Sequence, residues 1–199
     1  EIDEDALAET AVFGFIFSLE KTMFKGISQV LPGTCLKFEC GRIESKPFWQ
    51  LRPSFYGYLQ SDDIEVTDHF SALMDNTAKL FLKHSKHPQS IYLSGGIDST
   101  LMTLFLQRHS RISLDTFNLF DDEMSEDRHF ASRVADELGT KHMEFKTDVD
   151  ECLQWLDHYL YHYESLVTDG IFNVLGSLAF HILSRYVSSS HKLVYCGEG

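Results

Sequence analysis

The chain has 199 residues, 43% of them hydrophobic and 24% charged, with a formal net charge of −13. That length suits one domain, or one plus part of another, and the composition can bury a sizeable core. So acidic a surface repels phosphodiester backbones, which argues against a nucleic-acid partner. No apolar run approaches the roughly 18–20 residues of a membrane-spanning helix, so neither a membrane partner nor a membrane location is expected.

The first apolar run, "AVFGFIFSL" (11–19), is too short for a span, and its acidic approach "EIDEDALAE" is wrong for a signal peptide. It is expected to be a buried strand or helix. Residues 21–51 then alternate short β-type runs with Pro-Gly and Cys-Gly turns, which predicts a small β region with a hairpin about Gly41. "RPSFYGYLQSDDIE" carries Pro, Gly, Ser and paired Asp, the signature of a boundary. The predicted division is residues 1–55 and 56–199.

After the boundary, helices and strands alternate. Thr67 is a candidate cap for a helix with Phe70, Leu73, Met74, Leu80 and Phe81 on one face. "KHSKH" (83–87) reads as its solvated end. "SIYLS" is a short buried-type strand, "STLMTLFLQRH" a helix and "LDTFNLF" a second strand. "SEDRHFASRVADEL" follows as a helix, with Ser125 as N-cap and Gly139 as its stop. "HMEF" is a third strand. Helices near 149–163 and 170–187 and a last strand, "KLVYC", complete the pattern. The expected fold class is α/β, a parallel sheet with helices on both faces. Ligand groups in such sheets sit on loops at the carboxyl ends of strands. The chain stops on such a loop, Cys196-Gly197-Glu198-Gly199, so a continuation is expected.

The four cysteines form no CxxC pair and read as reduced thiols of a cytoplasmic protein. His158 and His162 stand i,i+4 on a predicted helix. The glutamate of an HExxH zinc site is missing between them, and metal binding by the pair is not expected.

The stretch that carries chemistry is "IYLSGGIDST" (91–100). Gly95 and Gly96 let the backbone turn tightly and approach a ligand closely. Backbone N–H groups at the start of the following helix make an anion site suited to phosphates. Ser94, Ser99 and Thr100 add hydroxyls. Asp98 repels a bare phosphate, so its carboxylate makes sense with Mg2+ between the two. The plainer reading is a glycine turn in which Asp98 and Ser99 cap the helix. The full S-G-G-x-D-S pattern between strand and helix favours the nucleotide reading. It differs from a Walker A loop, since no GxxxxGK[ST] occurs.

Ser94-Gly95-Gly96-Ile97-Asp98-Ser99 resembles the pyrophosphate-binding loop of the ATP pyrophosphatases. Glu126-Asp127, Ala131, Val134, Ala135, Leu138, Gly139, Thr140 and His142 reproduce a pattern similar to that of the glutamine-dependent asparagine synthetases. "KLVYCGEG" and "TMFKGISQVLPGTCLKF…FW" resemble two further segments of that family. The resemblance covers roughly residues 20–199. It implies an adenine nucleotide α-hydrolase-like fold, preceded by the β-rich tail of an N-terminal glutaminase-like domain in residues 1–55. The family's glutaminase nucleophile is an N-terminal cysteine, and this chain starts Glu1-Ile2-Asp3.

The chemistry implied by the resemblance is carboxylate activation with ATP and Mg2+. A substrate carboxylate attacks the α-phosphorus, and ammonia or a substrate amine then displaces AMP. Leu93, Ser94, Gly95, Gly96, Ser99 and Gly197 would surround the pyrophosphate. Asp98 would hold Mg2+ with a second Asp expected just after Gly199. The backbone at Phe117 and Asn118 would face the adenine. Glu198 corresponds to the family's proton acceptor for the attacking amine. Glu164 corresponds to a glutamate of the amine/acyl pocket, with Tyr163 beside it as an alternative.

The family's asparagine synthetases grip aspartate with a Thr-Thr-x-Arg segment. Here the matching residues are Asp169-Gly170-Ile171-Phe172, with Phe172 in place of the arginine. Arginine binds a carboxylate bidentately and phenylalanine does not. The departure points to a bulkier carboxylate, small molecule or peptide, as in the ring-closing β-lactam synthetases and lasso-peptide cyclases. Two other readings are a nucleotide-binding module without ligase activity and a tRNA-modifying enzyme; the net charge and the lack of a basic aromatic patch count against the second.

Overall fold

The computed structural model describes residues 1–51, 62–84, 87–163 and 174–197. The chain divides into two compact units, Glu1–Gln60 with His162–Ser177, and Ser61–Tyr161 with Leu178–Gly199.

The first unit opens with α1 (Glu4–Phe13), capped by Asp3, whose carboxylate accepts from the Ala6 N–H at 3.0 Å. Gly14, left-handed at φ 83°, ends it. Residues 15–19 do not continue it. Phe13, Phe15 and Phe17 stack edge to face with centroids 4.8–4.9 Å apart and stay half exposed, as do Val12 and Leu19. The expectation of a buried segment at 11–19 is therefore overturned: the aromatic rings pack on each other rather than into a core. β1 (Thr34–Glu39) and β2 (Arg42–Pro47) form the hairpin about Gly41, with Glu39 opposite Arg42. Cys40 (φ 49°) and Gly41 (φ 75°) make the two-residue turn whose twist suits a hairpin.

The second unit is α/β. Its helix α2 (Asp63–His84) starts four residues before Thr67. Asp62 is the cap, its carboxylate accepting from the Glu65 N–H at 2.7 Å. Thr67 lies inside the first turns and its hydroxyl donates to the Asp63 carbonyl. An acidic cap also complements the positive end of the helix dipole better than threonine. The expected apolar face is split: Ala78 is buried, Met74 and Leu82 pack beside it, and Leu73 and Leu80 face outward. At the helix end Lys83 is exposed; Ser85 and Lys86 lie outside the described residues.

β3 (Ser90–Tyr92), β4 (Asp115–Phe120) and β5 (Lys141–Lys146) form a parallel sheet in that order. The last predicted strand survives as a parallel bridge from Tyr195 to Ile91, with Tyr195 N–H donating to Ser90 O at 2.8 Å. Between the strands run α3 (Ile97–His109) and α4 (Glu126–Leu138). Ser125 caps α4 and Gly139 stops it at φ 67°, as the sequence predicts. After β5 come α5 (Val149–Tyr163) and α6 (Val174–Ser188).

Strand alternation sorts these helices onto two faces. Ile91 packs with Ala78, Phe105 and Leu106 of α2 and α3, and Leu93 packs on Ala131 and Ala135 of α4. Phe117, on the opposite face, packs on Leu183 and Val187 of α6. The expected parallel sheet with helices on both faces is what the second unit contains. None of the helices of the described residues is long and apolar enough to cross a membrane. All four cysteines are free.

Candidate functional site

Strand β3 stops at Tyr92 and the chain turns through Ser94-Gly95-Gly96 into α3, at the carboxyl end of the sheet. Gly95 takes φ 86°, which an L side chain rarely adopts. A Cβ there would sit 2.5 Å from the Asp127 carbonyl oxygen and 2.9 Å from the Ala131 nitrogen. The loop is thus seated against the first turns of α4 with no room for a side chain.

Ser99 organises the turn from inside. It is buried, and its hydroxyl lies 3.0 Å from Ser94 Oγ, accepts from the Ser94 N–H at 3.3 Å and reaches the Gly96 carbonyl at 3.2 Å. Ser94 Oγ in turn accepts from the Gly96 N–H at 3.3 Å. Gly96 is the N-cap of α3 and offers no side chain to its N–H groups. The first intrahelical bond runs from Thr100 N–H to Gly96 O, so the N–H groups of Ile97, Asp98 and Ser99 have no partner within the helix. Neither Asp98 nor Ser99 stands at the cap position, so the plain capping turn does not describe this loop.

The other wall comes from the end of the Tyr195 bridge. A Cβ on Gly197 would lie 2.7 Å from the Ser99 nitrogen. The Gly197 backbone is thus packed close against the start of α3, with no room for a side chain. The cleft is lined by Tyr92, Ser94, Gly96, Asp98, Ser99, Phe180, Cys196 and Gly197. None of these eight carries a positive charge, so an anion in the cleft would be met by backbone N–H groups and hydroxyls, with the negative Asp98 beside it. That donor set fits a polyphosphate accompanied by a divalent cation. Asp98 is exposed, and among the described residues no cluster of three His, Cys, Asp or Glu is poised to hold a metal.

The remaining candidates fall in three places. Leu93, Phe117 and Asn118 are buried in the sheet beneath the loop. Tyr163 is the last residue of α5 and is partly exposed. Glu164, Glu198 and the segment Asp169–Phe172 lie outside the described residues. The His158 ring stands 3.0 Å from His181 Nε2, across α5 and α6.

Sequence reasoning missed the aromatic side of the cleft. Tyr92 bonds Ser184 at 2.9 Å and tilts against Phe180, 5.8 Å between centroids. A tyrosine at the last position of β3 was the available signal, since strand ends at this edge face the ligand side. The network under α4 was also missed. Arg128 donates to Glu144 Oε2 through Nε (3.1 Å) and Nη2 (2.9 Å), pairs with Glu123, and lies 4.0 Å over the Phe120 ring. Burial holds the nearby His142 imidazole below its ordinary proton affinity.

The asparagine synthase family model matches residues 69–199, which contain the loop, α4 and the Gly197 wall. The chain belongs to the asparagine synthase family. Among curated relatives it is 28% identical to amidase chyE of Penicillium rubens, over 90% of this chain and 28% of that protein. It is 31% identical to the glutamine-hydrolysing asparagine synthetase 2 of rice, over 82% of this chain and 31% of that protein. The human glutamine-hydrolysing asparagine synthetase is 28% identical over 67% of this chain and 24% of its own length. The chain thus spans less than a third of each of these relatives. Among solved structures, an NH3-dependent NAD synthetase from Campylobacter jejuni matches with a TM-score of 0.46 and 18% identity, over 64% of this chain and 54% of that one.

Proposed function

We propose that the Ser94–Ser99 loop binds the pyrophosphate portion of ATP and that the protein activates a carboxylate for amide formation, with release of AMP and pyrophosphate. The observation that carries this reading is the cradle at the start of α3. Ser94, Gly96, Asp98, Ser99 and Gly197 line one cleft where the N–H groups of Ile97, Asp98 and Ser99 lack helical partners, and neither Gly95 nor Gly197 has room for a side chain. Family membership supports the same reading.

The residues' work is positional and electrostatic. The N–H groups of Ile97, Asp98 and Ser99 would face the charge that builds on the departing pyrophosphate, where preorganised donors count most. Ser99 holds Ser94 and Gly96 in register, so the cradle is set before the nucleotide arrives. Asp98 would hold a divalent cation, which when bound neutralises polyphosphate oxygens. The backbone at Phe117 and Asn118 would face the adenine. Glu198 is proposed as the base that takes the proton from the attacking amine, with Glu164 or Tyr163 near the acyl group.

Residues 1–55 are proposed to be the tail of a glutaminase-like domain. Phe172, in place of an arginine, supports a carboxylate substrate bulkier than aspartate, closed on its own amine or joined to ammonia. The test is product analysis on the full-length protein with ATP, Mg2+ and a panel of aspartate, β-amino acids and peptides. Stoichiometric AMP and pyrophosphate with one carboxylate supports the reading. ADP and orthophosphate as products, or no nucleotide turnover with any of them, overturns it.

A further inference from the structure

We infer that the side chain of Asn118, and not only the backbone around it, is a positioning residue for the nucleotide loop. The inference rests on the pyrophosphate reading of that loop.

Asn118 sits in the middle of β4, between Phe117 and Leu119, and is 95% buried, with 5% exposure. Buried asparagine in a central strand is costly unless its amide is used. One end is used. Its Nδ2 donates to the Leu93 carbonyl at 2.7 Å. This bond lies where strand becomes loop. The Leu93 N–H still joins the sheet, donating to Phe117 O at 2.8 Å. Its carbonyl is met by a side chain, and β3 has already ended at Tyr92. Asn118 therefore terminates the ladder one peptide before Ser94. The chain is released from the sheet there while Leu93 remains held.

The other end of the amide has no partner. Asn118 Oδ1 is buried without a hydrogen bond, and so are Glu144 Oε1 and His142 Nε2. The Leu93 contact fixes which end is which, since reversing the amide would set two oxygens against each other. An unpaired buried acceptor is costly. A leucine at 118 would avoid that cost but leave the Leu93 carbonyl bare. The arrangement serves the carbonyl at the root of the loop at the expense of the strand.

The same strand pair anchors the loop from its far side. Asn118 is the register partner of Glu144. Glu144 holds Arg128 of α4, and the adjacent Asp127 carbonyl is the surface on which Gly95 rests. Asn118 fixes the first residue of the turn, and Glu144 fixes the helix that the turn leans on. Together they set the height of the Ser94–Gly96 backbone over the start of α3.

The experiment is equilibrium binding of Mg-ATP and of AMP to the full-length protein and to Asn118→Ala, Asn118→Asp and Asn118→Ser, with thermal unfolding of each. AMP has no pyrophosphate and reports the rest of the nucleotide site. The expected result is a loss of ATP affinity of about five- to tenfold in Asn118→Ala and Asn118→Asp, the equivalent of one hydrogen bond. AMP affinity should fall clearly less than ATP affinity, and Asn118→Ser, which keeps a donor, should recover part of the loss. Equal loss for ATP and AMP, or ATP binding as tight as in the parent, overturns the inference. If Asn118→Ala fails to fold, the shape-preserving Asn118→Asp decides. A parent protein that binds AMP but gains nothing from the pyrophosphate of ATP would overturn the loop reading itself, before any variant is compared.

Discussion

The two ends of the parallel sheet treat polar groups in opposite ways. At the amino end, Ser190, His191 and Asp115 satisfy one another: Ser190 Oγ lies 2.9 Å from His191 Nδ1, and His191 Nε2 lies 2.8 Å from Asp115 Oδ2. His191 is nearly closed off, its ring edge against Phe117. Ser, His and Asp stand in a row there, yet the serine also donates to Val187 O and ties down the end of α6. At the carboxyl end, Ser94 and Ser99 bond each other, while the N–H groups at the start of α3 have no helical partner and Asp98 and Ser99 line a cleft. Residue types alone would nominate the first cluster for catalysis. What separates the two is whether donors are left over at a place a ligand can reach.

Variants of the carboxyl end should therefore cost activity and spare the fold, and variants of the amino end the reverse. The largest effect is expected for Asp98→Ala. Loss of the proposed metal ligand should lower Mg-dependent turnover on the order of a thousandfold, with the unfolding midpoint unchanged because Asp98 is exposed. Gly95→Ala comes next. The added methyl meets Asp127 O at 2.5 Å, and a displaced loop should lose about a hundredfold in kcat/KM. Gly26→Ala is its control: φ is also positive at 76°, but nothing lies within 4 Å, so only local strain is expected and no kinetic change. Ser99→Ala should raise KM for ATP about tenfold, because its hydroxyl serves Ser94 and Gly96 together.

Asp115→Asn should do the opposite. Denaturant titration is expected to show a loss of about 1–2 kcal/mol, the scale of one charge-assisted bond, with turnover at the parent level. The smallest effect concerns pH. His142 is favoured neutral because burial lowers its proton affinity from the ordinary 6.5. A depressed base contributes stability that is complete above that value and is lost as pH falls below it. Unfolding midpoints should therefore decline on acidification through pH 6, and His142→Gln should flatten that decline. An identical acid limb in the variant would assign it to other groups.

Much of this contrast was legible in the sequence. The alternation of strands and helices, Ser125 and Gly139 around α4, the Gly41 hairpin and the S-G-G-x-D-S turn all follow from local chemistry, which tertiary contacts did not override here. What was not legible depends on packing. Asp62 rather than Thr67 caps α2, although both are good capping residues and stand five positions apart; the choice shows only in the bond from Glu65 N–H to the Asp62 carboxylate. The run at 11–19 is apolar, yet its phenylalanines pair with each other rather than with a core. The contact of Gly197 with Ser99 joins residues almost a hundred positions apart, and no local pattern encodes it. Asn118 did leave a signal, a lone amide inside "DTFNLF", but its meaning required the carbonyl it binds.

The central claim is that the cleft at Ser94–Ser99 serves carboxylate adenylation. ATP–pyrophosphate exchange on the full-length protein, with radiolabelled pyrophosphate and each carboxylate in turn, tests it most directly. The account predicts label entering ATP only when one particular carboxylate is present, and a return to background in Asp98→Ala. Exchange absent with every carboxylate, while Mg-ATP still binds, would contradict it and leave a nucleotide-binding module without ligase chemistry.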